Sequence, residues 1–577
     1  MGHGASAGGE PPGRHTRPIA SPTVRPIDPS AERPASGDPL ERALAGLTPP
    51  QHRAVVSDAP SLCIVAGAGS GKTRVLTLRA ARRIRDGSAD ADHTVVCTFT
   101  RKAAHELKAR LALYGVTVST PGSGGGVPSP GARAGTLHQL ALTLLRRHAL
   151  DSGQPPPSVT EHRYRIIRDL VGDPALAAAA ETEIGWAKAR CLTPDEYPAA
   201  AGASGRTTPV EPERIQQIFV DYDLALARRR SLDLDDVLVR SGDLLLHEPG
   251  FAEGMHWRYR HLSIDEFQDV NPAQFRLIEA LMGTRRDLCA VGDPNQAIYG
   301  WNGADPTLLA RLPDAVPDME VVRLDENHRS TPQVVAAAAA GLGRAAAVPP
   351  RSLAADGPMP VVTAYDDEQA EAEGVASLIL ERSEDGRPWS DQAVLARTRD
   401  QLSVVGAALH RAGIPYRIAP GPESATTDAI VAPGGAVGDE PGRRRAGRGP
   451  ERGGREDRGA AGEGAVELAT FHRAKGLEWT SVHVIGVEDG FVPIVYAATE
   501  ATRDEERRLL YVALTRASTE LHCSWARSRT MGNGRQMERQ PSPWLASVAR
   551  VSRTGSGRIT PRDAGRRIAA MKAVLGR

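Results

Sequence analysis

From Leu47 onward, short apolar runs alternate with stretches in which apolar residues recur every three or four positions. The runs predict buried strands at Leu62–Val65 and Thr94–Phe99, and the helical periodicity predicts helices at Lys72–Arg85 and Lys102–Leu113. Strand alternating with helix predicts an α/β fold with a parallel, helix-covered sheet. From about Leu150 to Pro249 the pattern is helical, most clearly at Glu161–Leu170 and Pro212–Arg230, which predicts a helical insert. Strands at Leu262–Ile264 and Leu288–Val291 then resume the sheet. A second α/β run carries expected strands at Val321–Leu324, Val361–Ala364, Ala393–Ala396, Val466–Thr470, Val482–Val487 and Glu520–Ser524.

Composition marks where this pattern stops. Residues 1–43 open with Gly, Pro, Ser and Arg and almost no large apolar side chains, so they read as a disordered tail. Gly122–Gly131 reads as a flexible loop. Pro420–Gly464 is low-complexity and basic at Arg443-Arg444-Arg445, and reads as a linker that adds salt-sensitive, sequence-independent affinity for nucleic acid. Residues 549–577 read as a basic tail with a helix-like stretch at Ala564–Leu575. The expected units are therefore 44–148 with 250–318, interrupted by 149–249, and 319–419 with 465–548, interrupted by 420–464. At 577 residues and net charge +1, the chain is long enough for several domains and has no global field to recruit a polyanion, so any such site must be local. Five scattered cysteines without a C-x-x-C pair, and no apolar run long enough to span a bilayer, point to a cytoplasmic protein with no membrane partner.

The chemistry starts in the loop between the first strand and the first helix, Ala66-Gly67-Ala68-Gly69-Ser70-Gly71-Lys72-Thr73-Arg74. Its glycines can turn successive backbone N–H groups toward a triphosphate such as ATP, and the helix start aims positive potential at the same charge. Lys72 supplies an ammonium for the β- and γ-phosphates and Thr73 a hydroxyl for Mg²⁺. Asp265-Glu266, at the end of the resumed strand, supplies a second Mg²⁺ ligand and a base for the attacking water. Gln296, after the next strand, can reach the γ-phosphate.

Leu47-Thr-Pro-Pro-Gln51, the glycine loop, Asp265-Glu-Phe-Gln268 and Gly292-Asp-Pro-Asn-Gln-Ala-Ile-Tyr299 together resemble the superfamily 1 helicases of the UvrD/Rep/PcrA group. So do Thr98-Phe-Thr-Arg-Lys-Ala-Ala104, Gly135-Thr-Leu-His138, Glu326-Asn-His-Arg-Ser-Thr331, Thr470-Phe-His-Arg-Ala-Lys-Gly-Leu-Glu478 and Glu505-Glu-Arg-Arg-Leu-Leu-Tyr-Val-Ala-Leu-Thr-Arg-Ala517. The similarity runs from Leu47 to Leu545, and Glu183-Ile-Gly-Trp-Ala-Lys188 is most like the actinobacterial branch. It implies two RecA-like domains around an ATP cleft, 3′→5′ translocation on single-stranded DNA or at single-strand/duplex junctions, and a role in repair or replication on the nucleoid.

Carried over by position, the resemblance implies that Gln51 holds the adenine, that Arg329 and Arg516 are arginine fingers, and that Glu478 meets the ribose. His328 stands where the family usually has a Tyr stacked on adenine. Phe99, Tyr299 and Trp301 match DNA-stacking positions, and Thr98, Thr100, Thr136, His138, Thr470 and His472 match DNA-backbone contacts. Asn302 replaces a usual Arg, Met531-Gly532 stand where another aromatic is usual, and the 420–464 stretch fills the slot of a large helical lobe. Two other readings stay open: a non-catalytic DNA-binding relative, and a small-molecule P-loop phosphotransferase.

Overall fold

A computed structural model describes residues 38–121, 130–160, 162–206, 208–343, 350–419, 464–530 and 534–556. The expected linker at 420–464, apart from Gly464, lies outside the described residues. So do Arg443–Arg445, nearly all of the Gly122–Gly131 loop, Met531-Gly532 and the 564–575 stretch.

Two parallel sheets organise the chain, as the alternation predicts. The first has seven strands in the order 118–119, 132–136, 94–98, 261–264, 288–292, 62–66 and 320–324, all paired in parallel. Leu62–Ala66 lies between two neighbours, which bury it and pin its register: Cys63 faces Ala290 on one side and Val321 on the other. The second sheet runs 416–418, 466–470, 392–396, 479–484, 517–530, 361–367 and 553–556, with 536–538 added antiparallel to 517–530. The helix Lys72–Arg85 has the predicted bounds. Apolar residues fill both faces of each sheet, as parallel sheets require.

Four boundaries differ from the sequence expectation, each for a reason of packing. The strand Glu320–Leu324, expected in the second run, pairs with Leu62–Ala66 and completes the first sheet, so the chain changes domains after it. Residues 39–43 belong to the helix Pro39–Ala45 rather than to a tail, because Leu40 is buried against the first domain's core. The helix Leu234–His247, expected within the insert, instead buries Leu238 and Leu245 in one cluster with Leu140 and Leu277 of the first domain. At the other end, Arg553–Ser556 is a strand beside Val361–Asp367 rather than part of a tail.

The insert proper has its own core on helices Arg163–Val171, Pro174–Ala189, Tyr197–Ala203 and Pro212–Arg228. Lys188 is buried there and offset by three carboxylates, Asp223 at 2.9 Å, Asp236 at 2.8 Å and Asp233 at 3.2 Å. Arg206 pairs with Glu183 at 2.7 Å. Glu183 thus helps to hold the insert together, and Lys188 ties it to the start of helix Leu234–His247. Among the described residues no helix is long and apolar enough to cross a membrane.

Candidate nucleotide and nucleic-acid site

The glycine loop leaves the sheet at Ala66, the last residue of its strand, and turns through Gly69 (φ 70°) and Gly71 (φ 81°), both in the left-handed region. A Cβ at Gly69 would lie 2.8 Å from the Asn327 amide nitrogen, so chain geometry and space both demand glycine. The Ser70 hydroxyl closes the turn onto the Gly67 carbonyl at 2.8 Å. Helix Lys72–Arg85 begins directly behind, adding its positive end to the cradle. Lys72 Nζ donates to the Gly67 carbonyl at 3.4 Å and lies 3.9 Å from Asp293. Arg74, expected among the nucleotide contacts, instead donates to the carbonyls of Ala43 and Gly46, so its guanidinium is turned to the N-terminal helix.

Carboxylates gather opposite this loop because two neighbouring strands end there. Asp265 follows the strand His261–Ile264 and accepts a 2.8 Å hydrogen bond from the Thr73 hydroxyl. Glu266 is held in the left-handed region (φ 54°) and accepts from Gln268 Nε2 at 2.5 Å. Gln268 also accepts from the Asp293 N–H at 2.8 Å, and Gln296 donates to the Asp293 carboxylate at 2.7 Å. Burial and the neighbouring Glu266 push Asp265 up to about 7. Burial also acts to raise Glu266, but Lys475 and Lys72 overcome it and leave that carboxyl below its usual value. A buried carboxylate reluctant to carry charge, touching a hydroxyl, fits a hard cation that takes oxygen donors and completes its shell with phosphate and water. Thr73 and Asp265 are the residues that would hold Mg²⁺.

The second domain closes the cleft with Glu326–Thr331, Lys475–Glu478 and the helix Glu500–Leu514. Asn327, 2% exposed, donates to the Ala68 carbonyl at 2.8 Å and accepts from the Arg329 and Ser330 N–H groups. Gln51 donates to the Ser70 carbonyl at 2.9 Å and lies 3.0 Å from His328 Nε2, while its Oε1 caps Thr48 N–H. Here the expected adenine contact is also the third residue of a helix, Pro49–Val56, with a capping box. Arg329 and Glu478, expected at phosphate and ribose respectively, pair with each other at 2.5 Å.

Arg516 is 2% exposed and donates to the carbonyls of Val512 at 2.9 Å and Leu477 at 3.1 Å, and to Gln296 Oε1 at 3.5 Å. Burial and the nearby Arg329 pull its guanidinium down to about 9. Among the described residues no carboxylate is within ion-pair distance of it.

A further contact joins two residues that carry no expected role. Lys475 donates to both Asp269 carboxylate oxygens, at 2.5 and 2.7 Å, and to the Gln296 carbonyl at 2.7 Å. All three donors of a second-domain ammonium thus engage the first domain, with side-chain exposures of 7% for Lys475 and 1% for Asp269. The available signal was a third acid four residues after Asp265 and a lysine between His472 and Glu478.

The residues expected to contact DNA come from both domains. Trp301 is 48% exposed, with its ring edge-on to His472 at 6.4 Å. Phe99 and Tyr299 stack on each other at 5.3 Å rather than standing apart, and Lys475 lies 5.1 Å from the Tyr299 ring. Thr100 and Thr136 cap the helices Arg101–Leu113 and Leu137–Asp151 with their hydroxyls. Thr98 is buried with no partner for its hydroxyl among the described residues, and Thr470 is partly buried. Burial pulls His138 below its usual value and His472 down to about 4, so both imidazoles are neutral near pH 7. Thr98, Phe99 and His138 share one pocket with Asp265, Glu266 and Gln274, which puts the two sets of residues on a common wall.

Residues 47–317 match the UvrD/REP helicase N-terminal domain, and residues 322–421 with 454–528 match the UvrD-like helicase C-terminal domain. The chain is 34% identical to the ATP-dependent DNA helicase UvrD2 of Mycobacterium tuberculosis (strain ATCC 25618 / H37Rv), over 90% of this chain and 83% of that protein. It is 26% identical to DNA helicase II of Escherichia coli (strain K12) over 88% of each chain. With the ATP-dependent DNA helicase PcrA of Bacillus subtilis (strain 168) it shares 30% identity over 66% of this chain and 51% of that one.

Proposed function

Since the chain belongs to the UvrD/REP helicase family, we propose that it is an ATP-dependent DNA helicase that moves 3′→5′ on single-stranded DNA and acts at junctions with duplex in repair or replication on the cytoplasmic nucleoid. The observation that carries this reading is the meeting, in one cleft between two parallel-sheet domains, of Lys72, Asp265, Glu266 and the carboxylate-free Arg516, with the exposed Trp301 five residues after Gln296.

In this reading the glycine loop and Lys72 bind the phosphates of ATP, and Gln51 with His328 borders the base. Thr73 and Asp265 would hold Mg²⁺, which would supply charge neutralisation for the phosphates. Glu266, kept ionised by Lys475 and Lys72, accepts the proton of the attacking water. Arg516, joined by Arg329 on release from Glu478, stabilises charge on the γ-phosphoryl oxygens. Gln296 reports the state of that group to the segment that ends in Trp301. Bases stack on Trp301 and on the Phe99–Tyr299 pair, while hydroxyls and neutral imidazoles hold phosphates without reading sequence.

The test is ATP hydrolysis with and without single-stranded DNA. Stimulation is the expected result. Turnover indifferent to DNA would favour a small-molecule phosphotransferase, and no turnover a non-catalytic DNA-binding relative. Unwinding of duplexes with a 3′ or a 5′ single-stranded tail then tests polarity.

A further inference from the structure

One helix of the second domain grips, point by point, the first-domain segment that joins the nucleotide site to the exposed tryptophan. Helix Glu500–Leu514 is anchored through Leu509, Leu510, Val512, Ala513 and Leu514, all buried in the second domain's core. Two residues past its end Arg516 donates to the Gln296 side chain at 3.5 Å. Two turns back Arg508, 8% exposed, donates through Nε to the Ala297 carbonyl at 2.7 Å. One further turn back the Glu505 carboxylate accepts from the main-chain N–H groups of Gly300 and Trp301, the latter at 3.4 Å. The approach is so close that a Cβ on Gly300 would collide with Glu505 Oε2.

The order is antiparallel: residue 516 meets 296, 508 meets 297, and 505 meets 300 and 301. From Glu505 to the helix end is about 14 Å at 1.5 Å per residue, and an α-helix does not shorten under load as a loop does. Because Glu505 and Arg508 bind main-chain atoms, they fix the position of the segment whatever its side chains do.

Building on the helicase reading above, we propose that Glu505 and Arg508 are positioning residues that make helix Glu500–Leu514 a rigid coupler between Trp301, where a base stacks, and the Gln296–Arg516 pair at the γ-phosphate. Neither residue touches substrate. DNA seated on Trp301 is then felt at the phosphate end as a displacement of one rigid body, and closure of the cleft on ATP is felt at Trp301.

The test uses the full chain with Arg508→Met, Arg508→Lys and Glu505→Ala, each checked for an unchanged melting temperature. Nucleotide affinity, single-stranded DNA affinity, and turnover with and without DNA are measured separately. The expected result is that both affinities and the DNA-free rate stay within about threefold of wild type while the ratio of stimulated to unstimulated kcat falls at least about tenfold, with Arg508→Lys recovering part of it. Since loss of a buried arginine can also unfold the helix, Gly300→Ala supplies a second route. It should lower the stimulation ratio in the wild-type background and have no further effect in Glu505→Ala, as expected for one shared contact.

An unchanged ratio, equal loss of both rates, or additive effects of Gly300→Ala and Glu505→Ala would overturn the proposal. A wild-type enzyme that DNA does not stimulate would instead remove the helicase reading, and the coupler with it.

Discussion

Replacing Lys475 with methionine should weaken ATP turnover by an amount that grows with pH. In wild type the ammonium gives two hydrogen bonds to Asp269 and one to the Gln296 carbonyl, across the domain boundary and almost out of reach of water. Burial pushes the Asp269 carboxyl up to about 7 even with Lys475 beside it. In the closed cleft Asp269 therefore ionises only above that pH, so the ionic share of the contact is present above 7 and vanishes as the pH falls below it. Without Lys475 the carboxyl stays protonated to higher pH still.

The ionic share then follows from the titration of Asp269, at 1.36 kcal/mol per pH unit: negligible at pH 6, under about 1 kcal/mol at pH 7 and about 2 kcal/mol at pH 8.5. Loss of the bond to Gln296 adds about 1 kcal/mol at every pH. The summed deficit in kcat/KM for ATP, at saturating single-stranded DNA, is about tenfold at pH 7 and more than about a hundredfold at pH 8.5. The ionic share alone is less than the ~3–5 kcal/mol usual for breaking a buried pair, because the orphaned carboxyl escapes by taking a proton. Taking mutant-to-wild-type ratios at each pH cancels the titrations that Lys475 does not influence; Glu266, which Lys475 also holds down, is raised by the substitution, an effect that costs turnover at low pH and fades as the pH rises, opposite in sign to that of Asp269. In an Asp269→Asn background the effect of Lys475→Met should lose the part that grows with pH. A ratio within twofold at pH 8.5, or one that does not change with pH, would refute the reasoning.

Three further outcomes follow from the geometry. Lys72→Ala and Glu266→Gln should both abolish turnover, but only the first should lose nucleotide binding, because it removes phosphate charge whereas the second removes only a base; equal binding loss in a fluorescent-nucleotide titration would show the carboxylate misassigned. Arg516→Ala should bind ATP nearly normally while hydrolysis falls by roughly 10³-fold, and near-normal DNA-stimulated turnover would contradict its role. The second sheet should be acid-sensitive: His522 is buried, hydrogen-bonded to Thr363 at 2.9 Å, and held down to about 3 by burial and Arg382. Its folded value lies below the unfolded one, so its contribution is complete above about pH 6.5 and is lost on acidification, by about 2 kcal/mol at pH 5. Urea unfolding at pH 7.5 and pH 5 should show a smaller acid penalty for His522→Gln than for wild type.

The separation between what was readable and what was not follows the range of the interactions involved. Strand, glycine loop and helix between Leu62 and Arg85 are local: apolar run, permissive glycines and helical period all act within a few residues, and the helix has the bounds they predict. The two-sheet architecture was legible for the same reason, and Thr73 and Asp265, paired from chemistry alone, do touch. Tertiary structure decided the rest. Nothing in Glu320–Leu324 says which sheet it joins, because an apolar strand satisfies either; only the open edge beside Leu62–Ala66 selects the first. Phe99 and Tyr299 each read as a stacking face, but two aromatics brought within reach pack on each other before they wait for a base. Arg74 reads as a phosphate neighbour from its place in the loop, yet its long side chain takes the uncapped carbonyls of a helix that the sequence left in a tail. The Lys475–Asp269 pair and the grip of Glu505 and Arg508 on residues 297–301 join positions some 200 apart in the chain. No local pattern encodes such a contact, because its energy exists only once the two domains meet and exclude water from between them.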